Sequence, residues 1–132
     1  MQEIQVTTER KTQLLDITAQ VREAVGADAG GSAVLVYVPP TTAGVPINEK
    51  IDPDLLDDFE MALTAIADDR WSWKHVDADG PNAPSHLRDS LLGPQTLVPL
   101  RDGELALGTY QGIFFCEFDG PRSRKVYIST LI

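Results

Sequence analysis

The sequence predicts an α+β fold: an antiparallel-rich two-sheet sandwich with two or three short helices. Three observations lead there. Short runs rich in valine and isoleucine recur along the chain, turn-forming residues separate them at close intervals, and only a few stretches have helical period. At 132 residues the chain suits one domain, spanning 1–132, with one core. There is no internal repeat and no low-complexity tract.

The elements follow in order. Ile4, Val6 and Thr8 alternate with polar residues, as in a half-buried strand. Leu14 to Ile17 reads as a second strand, after which Thr18 is placed to cap a helix over Ala19 to Val25 that Gly26 stops. Ala27 to Gly31 is loop by composition. Ser32 to Val38 is a buried, valine-rich strand ended by Pro39-Pro40, and Val45 to Asn48 is a short extended piece. Asp52-Pro53 opens the longest helix, with Asp52, Asp54, Asp57 and Asp58 near the positive end of its dipole. Leu55, Phe59, Leu63 and Ile66 form its core stripe. Asp77 to Pro84 is a loop. Ser85 is placed to cap a helix from His86 to Leu92, closed by Gly93-Pro94. Gln95 to Leu100 and Glu104 to Leu107 flank Arg101-Asp102-Gly103, a strong hairpin signal. Gly112 to Phe118 and Lys125 to Leu131 are the last two strands.

Composition narrows the function classes. The net charge of −9 and pI near 4.5 argue against nucleic acid and anionic membrane as partners. An anionic substrate must therefore meet a local cluster of Lys or Arg. The single cysteine, Cys116, allows no intrachain disulfide and fits a reducing compartment. The N-terminal residues do not resemble a signal peptide, and no apolar run approaches membrane-spanning length, so the expected location is the cytoplasm.

Several residue types could support chemistry. His75 and His86, the two histidines, flank one turn-rich loop. If that loop brings them together, two imidazoles and a carboxylate would suit a borderline divalent metal, although the spacing matches no established zinc pattern. At a helix start His86 also lies beside free backbone N–H groups, which favour anions such as phosphate. Arg88 next to it is able to grip phosphate with a bidentate fork. Arg122, Arg124 and Lys125 form a second basic cluster, either for a phosphate or as a solvated turn. Gln111 sits between a Gly-Thr-Tyr turn and a strand, where its amide could orient a ligand. Glu117 shares a strand face with Phe115, whereas Phe114, Cys116 and Phe118 share the other. A carboxylate so placed is either a site group or the ion-pair partner of Arg122 or Arg124, with the pairing favoured. Cys116 reads as a small buried hydrophobe.

The order of motifs adds a resemblance. His86-Leu87-Arg88-Asp89-Ser90-Leu91-Leu92-Gly93-Pro94 is followed by Val98-Pro99-Leu100-Arg101-Asp102-Gly103-Glu104-Leu105. Leu107-Gly108-Thr109-Tyr110-Gln111-Gly112-Ile113 comes next. From about Val38 to the end, this series closely resembles the YjbQ-like family of secondary thiamine-phosphate synthases. The resemblance implies a jelly-roll-like sandwich, a homotrimer and a small phosphorylated substrate. Trp73-Lys74-His75, Asp79-Gly80 and Pro84-Ser85-His86 fit the family order of two histidines around an acidic Gly loop. Thr41-Thr42-Ala43 and Asn48-Glu49 fit a second element, but Pro40 stands where the family has a histidine. Asp57-Asp58 stands where the family has His-Asp, and Tyr110 where it has Trp.

The activity so implied joins a pyrimidine pyrophosphate to a thiazole phosphate, with a divalent metal, Mg or Zn, possible at the leaving pyrophosphate. The residues it points to are His75 and His86 as acid/base groups or ligands, with Asp57 as a third ligand. Thr41, Thr42 and Arg88 would hold phosphate, and Gln111 with Asn48 would orient the substrate. The alternative is a non-catalytic small-molecule-binding or structural homotrimer that has lost part of the site at Pro40 and Asp57.

Overall fold

The computed structural model describes residues 1–26, 30–78 and 80–132. The chain runs β1 (Gln2–Thr7), β2 (Gln13–Asp16), α1 (Thr18–Val25), β3 (Ala33–Tyr37), β4 (Ala43–Gly44), β5 (Ile47–Glu49) and α2 (Pro53–Ile66). It continues with β6 (Val76–Asp77), β7 (Gly80–Pro81), α3 (Ala83–Leu92), β8 (Gln95–Arg101), β9 (Glu104–Leu105), β10 (Gln111–Glu117) and β11 (Ser123–Leu131). The expected loop over Ala27 to Gly31 lies mostly at 27–29, outside the described residues.

Two antiparallel sheets enclose the main core, so the predicted α+β class and sandwich architecture hold. The larger sheet has the order β1-β11-β3-β8-β9. The smaller is built on β10, which pairs with β2, β4 and β5. The inward side chains of the large sheet are Val6, Val34, Val36, Val98, Val126 and Ile128. They meet Ile113 and Phe115 of β10, with Ile17 and Val21 beside α1. Each such fully buried side chain contributes roughly 1.5–3 kcal/mol.

The alternation read in β10 explains its central place. Its other face buries Phe114 and Cys116, joined by Phe118 just beyond the strand, against Leu63 of α2. Leu56 and Phe59 pack onto this second cluster. The observed stripe of α2 is therefore Leu56, Phe59 and Leu63, and Ile66, expected inside, is 49% exposed. The stripe of Leu56, Phe59 and Leu63 runs on to Ala67 at the helix end, which is fully buried, and passes Ile66 by. Cys116 is buried as expected, and desolvation pushes its thiol up to about 12, which leaves it unreactive.

Local chemistry sets the ends of the elements. Asp52 caps α2 by accepting the Asp54 N–H at 3.0 Å. The hairpin turn holds Asp102 and Gly103 at φ 53° and 79°, the left-handed pair that matches strand twist. Two expected caps are corrected. Thr18 lies inside α1, and Asp16 Oδ1 accepts both its N–H and its hydroxyl. Helix α3 starts at Ala83, two residues before Ser85 and about one turn before His86. Proline inside a first turn costs nothing, so Pro84 extends the helix instead of ending the loop. Ser85 instead donates its hydroxyl to Phe118 O at 2.6 Å, tying α3 to the end of β10.

Candidate histidine site

The two histidines meet. Their ring centroids are 5.2 Å apart with the planes at 75°. His86 stands one turn into α3. His75 reaches it through a chain of turns after α2. Asp68 starts that chain: its carbonyl accepts the Trp71 N–H and the Trp73 indole N–H, the latter at 2.8 Å. Trp71 and Trp73 then stack at 5.6 Å. The Asp68 side chain accepts from the backbone and guanidinium of Arg70, which lowers its carboxyl to about 2.

The β3–β4 loop supplies the third side of the site. His86 Nδ1 lies 3.0 Å from the Thr41 carbonyl oxygen. A carbonyl only accepts, so Nδ1 carries the proton and Nε2 keeps its lone pair in the neutral ring. Close packing of α3 on β4 holds this geometry. A Cβ on Gly44 would lie 2.9 Å from Leu92 Cβ and 3.1 Å from Gly93 O, so a larger residue there would force β4 and the end of α3 apart.

Asp89, which the sequence reading passed over, lies one turn below His86. Its carboxylate accepts the Ala43 N–H and feels the charges of His86 and Arg124. One of its oxygens is buried without a partner. Burial outweighs these favourable contacts and raises its pKa. The charged form is therefore the disfavoured one. Its penalty is absent below the unfolded carboxyl pKa, where both states are protonated, and grows as pH rises through the folded pKa. Asp89→Asn is expected to raise the melting temperature at about pH 7 and to leave it unchanged near pH 3. Thermal unfolding at the two pH values measures this. The i, i+3 spacing from His86 was the signal that could have found it.

The remaining expected site residues divide into two groups. Asn48 and Gln111 are neighbours across the β5–β10 pairing, where Asn48 faces Gly112 and Gln111 faces Glu49. Their amide oxygens accept local N–H groups, from Glu49 and Gly108 respectively, each at 2.8 Å. Thr41 is exposed beside the histidines.

Thr42 and Arg88 are corrections. The buried Thr42 hydroxyl accepts from Arg124 at 2.7 Å. Arg88 is 1% exposed and gives its guanidinium to the carbonyls of Leu63, Thr64 and Ala67 at 2.7, 3.1 and 2.7 Å. The last turn of α2 has no basic residue of its own, so Arg88 supplies the cation that its dipole favours from the neighbouring helix. Buried in this way, Arg88 is closed to a phosphate arriving from solvent. Lysine has no planar fork to reach these carbonyls from two nitrogens, so Arg88→Lys is expected to cost about 2 kcal/mol in urea unfolding.

The metal set His75, His86 and Asp57 is not assembled. Among the described residues no three His, Cys, Asp or Glu side chains are grouped as ligands. Exposed Asp57 acts instead on Arg10, which is held by Glu60. Two imidazoles fall short of the three protein ligands typical of catalytic zinc.

The same arrangement of motifs occurs in known proteins. Residues 2–132 match the family model described as UPF0047 protein YjbQ-like, so the likeness extends well before Val38. The chain belongs to the UPF0047, YjbQ-like family. A UPF0047 protein of Archaeoglobus fulgidus is 40% identical over 98% of this chain and 99% of its own. UPF0047 protein YugU of Bacillus subtilis is 39% identical over 97% and 96%. The crystal structure of an uncharacterized conserved protein of the YjbQ/UPF0047 family from Clostridium acetobutylicum superposes with TM-score 0.91. It is 37% identical and covers 99% of this chain and 100% of that one. UPF0047 membership thus accounts for the sandwich. No described helix is long and apolar enough to cross a membrane.

Proposed function

We propose that this UPF0047 chain is a transferase that condenses a pyrimidine pyrophosphate with a thiazole phosphate to give thiamine phosphate. The observation that carries the reading is the His75–His86 pair, with His86 anchored through Nδ1 on the Thr41 carbonyl. In the reaction the thiazole nitrogen attacks the pyrimidine methylene carbon as the bond from that carbon to the pyrophosphate oxygen breaks. The leaving pyrophosphate gains negative charge. An imidazole pair at an open surface suits it: one ring orients the other, and a protonated ring donates to the departing oxygen. Thr41 lies within the same corner, and Asn48 with Gln111 is the second polar pair that this reading assigns to substrate orientation.

A second reading is a non-catalytic homotrimer that binds a small molecule. Pro40, adjacent to Thr41, favours it, because proline offers no proton or ligand where the family has an imidazole. Under either reading a homotrimer suits the outer face of the large sheet. There Tyr37 and Tyr127 stack at 6.5 Å and Leu35 pairs with Leu97, which is 58% exposed.

Pro40→His separates the two readings. It is expected to raise the turnover of thiamine phosphate formation by about a hundredfold, the lower end of what one acid/base group contributes. A binding module would show no turnover in either form.

A further inference from the structure

The ion pair inside the sandwich reaches the histidine site through one loop. Glu117 and Arg124 are both buried. Arg124 Nε donates to Glu117 Oε1 at 2.9 Å, and Nη2 donates to Oε2. Nη2 also donates to the Thr42 hydroxyl at 2.7 Å. Thr42 is buried too, and its main-chain oxygen accepts the Phe118 N–H at 3.1 Å. Thr42 is therefore held twice, its side chain by the guanidinium and its carbonyl by the residue just beyond β10. A fully satisfied buried network of this kind rigidifies what it joins. Buried ion pairs are weak evidence for stability, since apolar residues of similar volume often do as well. What an apolar pair lacks is a donor aimed at the Thr42 hydroxyl.

The peptide group that carries the Thr41 oxygen ends on the Thr42 nitrogen. Because that group is planar, holding Thr42 limits where the Thr41 carbonyl points. Thr41 itself is exposed, so the burial that anchors this loop lies one residue further on. On its other side Pro40 has no N–H with which to tie the loop down. The oxygen so aimed lies 3.0 Å from His86 Nδ1. In a neutral imidazole either nitrogen is able to carry the proton, and the partner of one of them makes the choice. The Thr41 carbonyl makes it here by accepting from Nδ1. Nε2 is then the atom that takes up a proton or gives one back.

We infer that the Glu117–Arg124 pair sets the tautomer of His86: acting through the Thr42 hydroxyl and the Thr41 carbonyl, it holds the ring as the Nδ1–H form. Thr42, Arg124 and Glu117 are positioning residues, and none of them touches substrate. Thr42 thus has a task at the site in place of the phosphate contact that its burial forbids. The inference rests on the histidine-pair reading, because a fixed tautomer matters where Nε2 handles a proton.

The test reads the ring itself. The full chain, with isotope-labelled histidine rings, is studied by long-range proton–nitrogen NMR at about pH 8.5, above the usual histidine range. His75→Gln assigns the two rings. Wild-type His86 is expected mainly as the Nδ1–H form. Thr42→Val keeps the side-chain shape but removes the acceptor. It is expected to shift the tautomer ratio toward Nε2–H by at least about threefold, which one modest hydrogen bond sustains. Thr42→Ser keeps the hydroxyl and should leave the ratio unchanged. The double variant Glu117→Met/Arg124→Leu should shift the ratio as Thr42→Val does, although its apolar pair lets the chain fold. A purely structural ion pair would leave the ring alone once the fold is restored. Folding is checked by circular dichroism, and if either Thr42→Val or the double variant does not fold, the other decides together with Thr42→Ser. A wild-type ring found mainly as Nε2–H, a ratio unmoved in the folded variants, or a serine variant that shifts as far as the valine one would overturn the inference. No substrate enters the measurement, so a held ring in a chain that forms no thiamine phosphate would count against the condensation alone.

Discussion

Arg124→Leu is expected to destabilise the protein by about 3–5 kcal/mol, because it strands a carboxylate in the sandwich interior. Glu117 has 0% exposure. Its two oxygens accept from Arg124 Nε at 2.9 Å and Nη2 at 2.5 Å. The Thr8 hydroxyl donates at 2.8 Å, and the N–H groups of Phe118 and Asp119 donate at 3.1 and 3.2 Å. Without the guanidinium only neutral donors remain, and the Thr42 hydroxyl loses a donor as well. The cluster ties β1, β10, β11 and the β3–β4 loop together, so its loss is felt across both sheets. The expected loss is a large share of the 5–15 kcal/mol that typically holds a domain folded. The double variant Glu117→Met/Arg124→Leu should recover most of it, since an apolar pair of similar volume has no buried charge to satisfy. Urea unfolding of both variants measures this. A single-variant loss under about 1 kcal/mol would mean that water reaches Glu117.

His86→Ala should act on the reaction and not on the fold. Loss of a positioned acid/base group lowers kcat/KM by about 10²–10⁴. His86 is only half-buried and its one bond is to a loop carbonyl, so unfolding should change by no more than about 1 kcal/mol. His86→Gln is the informative companion. An amide is able to donate to the Thr41 carbonyl but not to move a proton, so it should restore the loop and leave the rate low. A rate recovered by glutamine would make the ring a positioning residue only.

Much of this was legible in the sequence. The alternation in β10 gave both of its faces, including Glu117 on the side of Phe115, because a strand fixes direction by parity alone. The Arg101-Asp102-Gly103 hairpin followed from turn chemistry. That Glu117 pairs with Arg122 or Arg124 followed from the cost of an unpaired buried charge, and the structure selects Arg124. The meeting of His75 and His86 was a possibility that a loop rich in turn formers left open, and the structure realises it. What sequence hid was direction around a helix. Arg88 and His86 are neighbours in α3, yet one turns inward under α2 and the other toward Thr41. Which way each points depends on where α3 starts, and Pro84 shifted that by a turn. Asp57 was read toward the histidines, but nothing local to α2 states which neighbour its surface acids face. Asp89 was missed because its interest lies in an unpaired buried oxygen, which only tertiary packing creates.

The measurement that tests the central claim most directly is product formation by the purified chain. The pyrimidine pyrophosphate and the thiazole phosphate would be supplied with Mg²⁺ or Zn²⁺, and thiamine phosphate and pyrophosphate would both be quantified. A histidine-centred transferase should release the two in equal amounts and lose that activity in His75→Ala and His86→Ala. A folded wild-type chain that forms no thiamine phosphate with either ion, or one whose rate is untouched by both substitutions, would contradict it.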